Sequence, residues 1–328
     1  MSLALGTLTS LFGKDVVREQ ALLDMNRLLA PVQASLEADT DAPAFPPVLI
    51  LGPPRSGTTL ASQLLQSTGQ FGTVSNFVAR FWLAPAVGLQ IQAALGFGAS
   101  PLGSSFQSVR GGAQGWKEPS EFGYFWSRFF DLGQPTHLLG TAERERFDGA
   151  GLRRAVTSME AVAGKPMAFK NNTWFSFHAD LLAEIFPGAV LVVCRRDPFF
   201  VAQSLYLQRI HLYGDASLWW SMRPPEYEAI RGLPPIEQVA QQAVRIIQHT
   251  EASVARAKGV TVVSVNYDRL VAEPRAIIAK IAAAAGVPVS DGELTQLPAS
   301  FTSTDTVRLD HASARALEAA IASAGIRT

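Results

Sequence analysis

The chain has 328 residues, 48% of them hydrophobic, enough to bury the core of one large α/β domain or two smaller ones. Lysine plus arginine equals aspartate plus glutamate, 28 each, which removes any global electrostatic case for nucleic acid or an anionic membrane and leaves room only for a local cationic pocket. The single cysteine, Cys194, excludes an intrachain disulfide and fits a reducing compartment.

No stretch is long and apolar enough to read as a membrane span. The mildly apolar start has no basic region before it, so a cytoplasmic protein is expected. Lys14 to Leu36 reads as an amphipathic helix with Val17, Ala21, Leu22, Met25, Leu28 and Leu29 on its apolar face, and Pro31 is expected to kink or end it. Packing on the main domain is the first role expected of it, and a homodimer contact is the alternative. This makes 1–46 an N-terminal helical extension and 47–328 the main domain.

Val48 to Leu51 is a short apolar run with the character of a buried strand, and Gly52 to Thr59 is a tight polar turn. Leu60, Leu64 and Leu65 then recur at helical spacing, so a helix starts near Thr58. Phe71 to Val74 reads as a second short strand, and Phe77 to Leu95 as helix interrupted at Pro85. Gly96 to Gly115 is rich in Gly and Ser and reads as a long surface loop. Trp116 to Trp126 is aromatic, with a helix expected from Pro119. Ala142 to Val162 is a further helix with a break near Gly149.

The alternation then becomes regular. Met167–Phe169, Val190–Cys194 and Val260–Val265 read as strands. Helices are expected over Phe175–Phe186, Pro198–Ile210, Ile236–Ala257, Pro274–Ala285 and Ala312–Ala324. Strands alternating with helices imply a three-layer α/β fold of the P-loop type, a central parallel sheet covered by helices on both faces. Ligands in such sheets bind beyond the carboxyl ends of the strands. The Gly52 turn, Lys170 and Arg195-Arg196 all fall at such ends.

Strand, glycine-containing turn and helix start form an anion cradle, because the first helical amides lack intrahelical partners and the dipole adds positive potential. The spacing approaches the nucleotide-binding G-x-x-x-x-G-K-[ST], but Thr58 stands where its lysine would be and the cation comes earlier, at Arg55. A second motif is Arg196-Asp-Pro198 with Ser204, eight residues past Arg196 and about two helical turns on at 3.6 residues per turn. An arginine fork and a hydroxyl so placed suit one phosphate.

These two motifs resemble those of sulfotransferases that use 3′-phosphoadenylyl sulfate (PAPS) as donor. Pro54-Arg-Ser-Gly-Thr-Thr-Leu60 looks most like the tyrosylprotein and bacterial members, and the resemblance covers roughly Pro47 to Leu309. It implies that Arg55, Ser56, Gly57, Thr58 and Thr59 hold the 5′-phosphosulfate, and Arg196 and Ser204 the 3′-phosphate. Arg308 is implied as a second phosphate ligand. Lys170 matches a lysine near the transferring sulfonate, although Asn171-Asn172 replaces the family's Asp-Pro.

The implied reaction is in-line transfer of a sulfonate to a hydroxyl acceptor: a small molecule, a lipid or a peptide. No metal is expected, since the acidic and histidine residues show no ligand spacing. The chain departs from the family at the general base. The glutamate expected twenty-one residues after the loop arginine is Asn76 here. Glu118 and Glu121, among aromatic neighbours, are the first candidates to replace it, with Glu118 favoured at the mouth of the loop, and His137 and His211 come next. Two rivals remain: a P-loop kinase-like phosphotransferase, which Thr58 argues against, and a catalytically inactive homologue that binds PAPS or its bisphosphate product, to which Asn76 gives weight.

Overall fold

The computed structural model describes residues 15–38, 43–96, 104–106, 108–109, 112–113, 115–130 and 135–325. Its main sheet has five strands, all parallel, in the order β2 (Gly72–Thr73), β5 (Met167–Lys170), β1 (Val48–Leu51), β6 (Val190–Arg195) and β7 (Thr261–Asn266). A separate pair of two-residue strands, β3 (Ser108–Val109) and β4 (Gly112–Ala113), runs antiparallel inside the stretch expected to be loop.

β1 is wholly buried, and its side chains divide by the two-residue period of a strand. Leu49 and Leu51 face one apolar layer with Phe169, Leu191 and Val193. Val48 and Ile50 face the other with Val192, Val263 and Val265. The longer helices are α1 (Val16–Ala38), α2 (Thr58–Ser67), α3 (Pro85–Ala94), α4 (Gly149–Ala163), α5 (Ala179–Ile185), α6 (Pro198–Tyr213), α7 (Pro235–Arg256), α8 (Pro274–Ala284) and α9 (His311–Ser323). Residues of α3, α4 and α5 fill the first layer, and residues of α2 and α8 the second. The three-layer expectation holds. A third cluster joins α6, α7 and α9.

Three local expectations are corrected. The predicted apolar face of α1 is only partly buried: Leu22 packs on the first layer, but the fully buried positions are polar. Glu19, Asn26 and Gln33, one every seven residues, are the buried positions, while Val17 and Leu28 are each 80% exposed. The partners explain it. Asn26 donates to the carbonyl of Arg80 (2.7 Å) and accepts from the amide of Leu83 (2.8 Å). Gln33 accepts from the amide of Ala86 (2.9 Å) and donates to the Ser158 hydroxyl (3.0 Å). The turn between Arg80 and Pro85 has backbone groups to satisfy, and a polar stripe does so where leucines could not. The helix continues through Pro31.

Trp116–Glu121 is not helical: it begins in a turn and passes through an antiparallel bridge from Pro119 to Ser75. It lies antiparallel to Val74–Phe77, through Asn76 N–Glu118 O (2.8 Å), Phe77 N–Trp116 O (3.0 Å) and Ser120 N–Val74 O (2.8 Å). The helix begins only at Gly123. The expected helix Phe175–Phe186 is divided into Asn172–Phe175 and Ala179–Ile185, whereas the break expected near Gly149 is present, with Asp148 capping the fresh start.

The polar docking of α1 predicts that Gln33→Ala destabilises the fold by about 1–3 kcal/mol, because it strands the buried amide of Ala86. Leu28→Ser should stay within about 0.5 kcal/mol, as expected for an exposed site. Urea denaturation of the two variants checks the contrast, and the opposite ranking would mean that α1 is held by its apolar side.

Candidate active site

β1 lies between β5 and β6, so the residues that leave these three strands emerge side by side, about 4.8 Å from strand to strand. The turn after β1 passes so close to β6 that a Cβ on Gly52 would stand 2.3 Å from the Cys194 carbonyl, and Gly52 has φ +143°. Only glycine fits there. Asn172, just past β5, ties this turn down. Its amide donates to the carbonyls of Gly52 (2.7 Å) and Pro53 (3.0 Å), and its oxygen accepts from the Thr58 hydroxyl (3.0 Å). Ser56 is buried and donates back to the Pro53 carbonyl (2.7 Å). Gly57 precedes α2 at φ +92°, and no side chain caps the helix.

A cleft of about 290 Å³ opens over this turn. Of the residues singled out in the sequence, Arg55, Gly57, Thr58, Thr59, Glu121, Lys170 and Arg196 line it. Arg55, Arg196 and Arg308 approach closely enough that the two neighbours, after burial itself, lower the Arg55 pKa. Arg196 donates from Nη1 to the Arg55 carbonyl (2.6 Å) and lies over the Tyr267 ring (4.2 Å). Arg55 Nε in turn donates to the Ser204 hydroxyl (3.0 Å). Arg196 and Ser204 therefore meet through Arg55, which links them by its carbonyl and its Nε. Arg308 is exposed, with its amide on the Gln203 side chain (2.7 Å).

Lys170 is buried and forms an ion pair with Glu121, whose side chain is 47% exposed. The neighbouring Asn171 donates to the Glu121 carbonyl (3.0 Å), so both ends of Glu121 are held by consecutive residues at the end of β5. Glu121 also lines a second cavity of about 260 Å³ with Asn76, Ala79, Trp82, Phe122 and Tyr124. It thus stands where the two spaces adjoin, and Asn76 forms part of the same wall.

Glu118 is placed differently from the expectation. Gln63 (2.9 Å) and the Ser104 hydroxyl (2.7 Å) donate to one of its oxygens, and the amide of Ser105 (2.7 Å) to the other. Burial pushes its pKa up, but these hydrogen bonds outweigh it and hold the carboxyl below its usual value. It is a tether for residues 104–105 and a poor proton acceptor. His137 is buried and accepts from the Arg223 amide (2.9 Å), with a pKa pushed down to about 3 by burial and then by Arg223. His211 is exposed, in the last turn of α6. Neither lines the cleft.

Several site residues escaped the sequence reading. Asn172 stood out only as a departure from a family pattern. Trp220, Ser221 and Phe106 also line the cleft, but they come from stretches without periodicity. One backbone feature does mark the place. The non-glycine residues with positive φ among those described are Arg55, Phe106, Phe122 and Ser221. Three line the cleft and Phe122 follows Glu121. Unfavourable backbone persists where the surroundings over-determine it, and it gathers at functional sites.

Residues 46–291 match the model of the sulfotransferase family. In fold the chain is similar to sulfotransferase STF9 from Mycobacterium avium, with 17% identity, a TM-score of 0.55, and coverage of 93% of this chain and 84% of that one. It is also similar to sulfotransferase STF1 from Mycobacterium tuberculosis H37Rv, with 16% identity, a TM-score of 0.54, and coverage of 94% and 85%. At such identities the likeness speaks for the fold alone. No curated protein matches the sequence.

The Glu118 network carries a pH signature. A carboxyl whose folded pKa is depressed contributes stability that is present above its unfolded pKa and is lost as pH falls through the folded value. Glu118→Gln should therefore lower the urea midpoint at pH 7. The gap between variant and wild type should narrow as pH falls below the ordinary glutamate value of about 4.3. A gap that stayed constant into acid would show that the ionised carboxylate adds nothing.

Proposed function

The chain belongs to the sulfotransferase family, and from that premise we propose that it moves a sulfonate group from PAPS to a hydroxyl acceptor, with Glu121 as the base. The observation that carries this reading is the pairing, in one cleft, of an arginine-rich anion site with a lysine–glutamate pair. Arg55 and Arg196 line the cleft, Arg308 lies near enough to act on Arg55, and the Ser204 hydroxyl accepts from Arg55. That set fits a ligand carrying two separate phosphates, and the turn before α2 supplies amides for a third anionic group.

The residues divide the work by position. Arg196, Ser204 and Arg308 hold the 3′-phosphate end, with Arg55 bridging towards the turn. Thr58, Thr59 and the amides of the turn hold the 5′ end. The donor supplies the sulfonate and departs as adenosine 3′,5′-bisphosphate. Lys170 offsets charge that builds at the leaving oxygen, and Glu121 takes the acceptor's proton as its oxygen bonds to sulfur. The demands are those of phosphoryl transfer, met mostly by alignment and by preset charge.

The acceptor lies in the second cavity, because Glu121 borders both spaces. Trp82 and Tyr124 meet edge to face there (4.9 Å). A Cβ on Gly123 would meet nothing within 4 Å, so this wall has room to spare. The cavity suits an acceptor with an apolar body and one hydroxyl at the Glu121 end.

The test combines binding and turnover on the same samples. Calorimetry should find binding of the bisphosphate, and Arg196→Ala should weaken it roughly ten- to a hundredfold, the loss of a charge-assisted contact worth about 1.5–3 kcal/mol. Glu121→Gln should lose about 10²–10⁴ in the rate of sulfonate transfer to a hydroxyl panel, with bisphosphate affinity intact. Wild-type protein that ignores the bisphosphate would sink the donor assignment. Tight binding without turnover of any acceptor would favour the inactive homologue. Gly123→Leu should raise the acceptor KM several-fold and leave bisphosphate affinity unchanged, and equal effects on both would move the acceptor out of this cavity.

A further inference from the structure

The Arg196 guanidinium, central to the anion site, is already holding an anion of the chain itself. Its Nε donates to Asp305 Oδ1 (2.7 Å), and Nη2 reaches the same oxygen (2.5 Å). Nη2 also donates to the Thr304 hydroxyl (2.9 Å), and Nη1 to the Arg55 carbonyl (2.6 Å). A guanidinium has five N–H donors and grips an oxyanion best with a pair of them on one edge. Here the Nε–Nη2 edge is committed to Asp305. The side chains are 5% and 13% exposed, so solvent does little to loosen the pair.

The pair is nonetheless not at rest with its surroundings. Burial raises the Asp305 pKa, Arg196 opposes this, and the Asp268 carboxylate beside it adds to the rise. The carrier segment suits movement. Phe301 is fixed by its amide on the Val271 carbonyl (2.7 Å). Gln203 fixes the other end, donating to the Thr306 carbonyl (2.9 Å) and accepting from the Arg308 amide (2.7 Å). The residues between these anchors belong to no helix or strand, and 302–304 are exposed.

We propose that Asp305 is a built-in competitor for the phosphate that Arg196 grips. It fills the guanidinium edge in the free protein, which spares a buried cation from standing unpaired. It is displaced when a 3′-phosphate enters, and it returns to help expel the bisphosphate product. This rests on the PAPS reading of the site. It makes Asp305 a determinant of how long product stays, a step that limits turnover in many enzymes.

The sign of one substitution decides the matter, because a residue that merely props Arg196 in place would act in the opposite direction. Asp305→Asn keeps the shape and removes the charge. Calorimetry and stopped-flow dissociation, run with adenosine 3′,5′-bisphosphate, should give an affinity about tenfold tighter and a correspondingly slower release. Asp305→Ala should change both in the same direction, and Asp305→Glu should remain near wild type. Adenosine 5′-monophosphate, which has no 3′-phosphate and leaves the pair undisturbed, should bind wild type and Asp305→Asn within about twofold of each other. Unchanged or weaker bisphosphate binding in both neutral variants, with melting temperatures near wild type, overturns the proposal and makes Asp305 a prop. Equal tightening of both nucleotides also overturns it, since the effect would then be general electrostatics. A wild-type protein that binds neither nucleotide would instead remove the donor reading beneath it.

Discussion

Everything in the site depends on how closely the turn after β1 is pressed against β6. Gly52 has no room for a Cβ beside the Cys194 carbonyl, so the turn leaves the sheet with the end of β6 directly at its flank. That contact sets Arg55 against Arg196, whose Nη1 donates to the Arg55 carbonyl. On the other flank, Asn172 reaches back from the end of β5 to the carbonyls of Gly52 and Pro53. The ligand face is therefore an outcome of strand order: a central strand, its two parallel neighbours, and a turn bonded to both.

Bringing three guanidiniums together has an electrostatic cost, and the chain offsets it locally, since its overall charge is balanced. Asp305 and the Tyr267 ring stabilise Arg196, and Ser204 takes the Arg55 Nε. Each of these partners is weaker or more displaceable than a phosphate dianion. Such a site stays folded when free and still has donors to exchange when a ligand arrives. Lys170 follows the same logic, buried and paired with the half-exposed Glu121.

The sheet and its ligand edge were legible because each rests on local signals. Val48–Leu51 is a four-residue apolar run ending at glycine, and Arg196 follows another such run and precedes a proline that suits a first helical turn. The errors lie where tertiary contacts override local preference. Trp116–Glu121 has Pro119 where a helix might begin, yet its backbone bonds to Val74–Phe77, a partner some forty residues away. In α1 the leucines set the expected face, while the fully buried line is the seven-residue repeat of Glu19, Asn26 and Gln33, which Leu22 flanks. That polar repeat could have been noticed, but which turn it would satisfy is a property of the folded chain.

The same antiparallel pairing bears on the missing family glutamate. Asn76 cannot accept a proton at neutral pH, and its side chain instead donates to the carbonyls of Ala113 and Gly115 (2.9 Å each). Because Trp116–Glu121 runs back along Val74–Phe77, Glu121 emerges beside the same cavity wall as Asn76. Asn171 and Lys170 then fix its backbone and its carboxylate. The segment paired with Val74–Phe77 thus brings a carboxylate, Glu121, to the wall that Asn76 also forms. Asn171 and Asn172, which replace the family's Asp-Pro, fit this arrangement. A proline at Asn172 would have neither the amide that anchors the Gly52 turn nor the oxygen that receives the Thr58 hydroxyl. An aspartate at Asn171 would have no N–H to give the Glu121 carbonyl. The two asparagines after Lys170 thus have separate tasks: Asn171 holds the Glu121 backbone, and Asn172 holds the turn after β1.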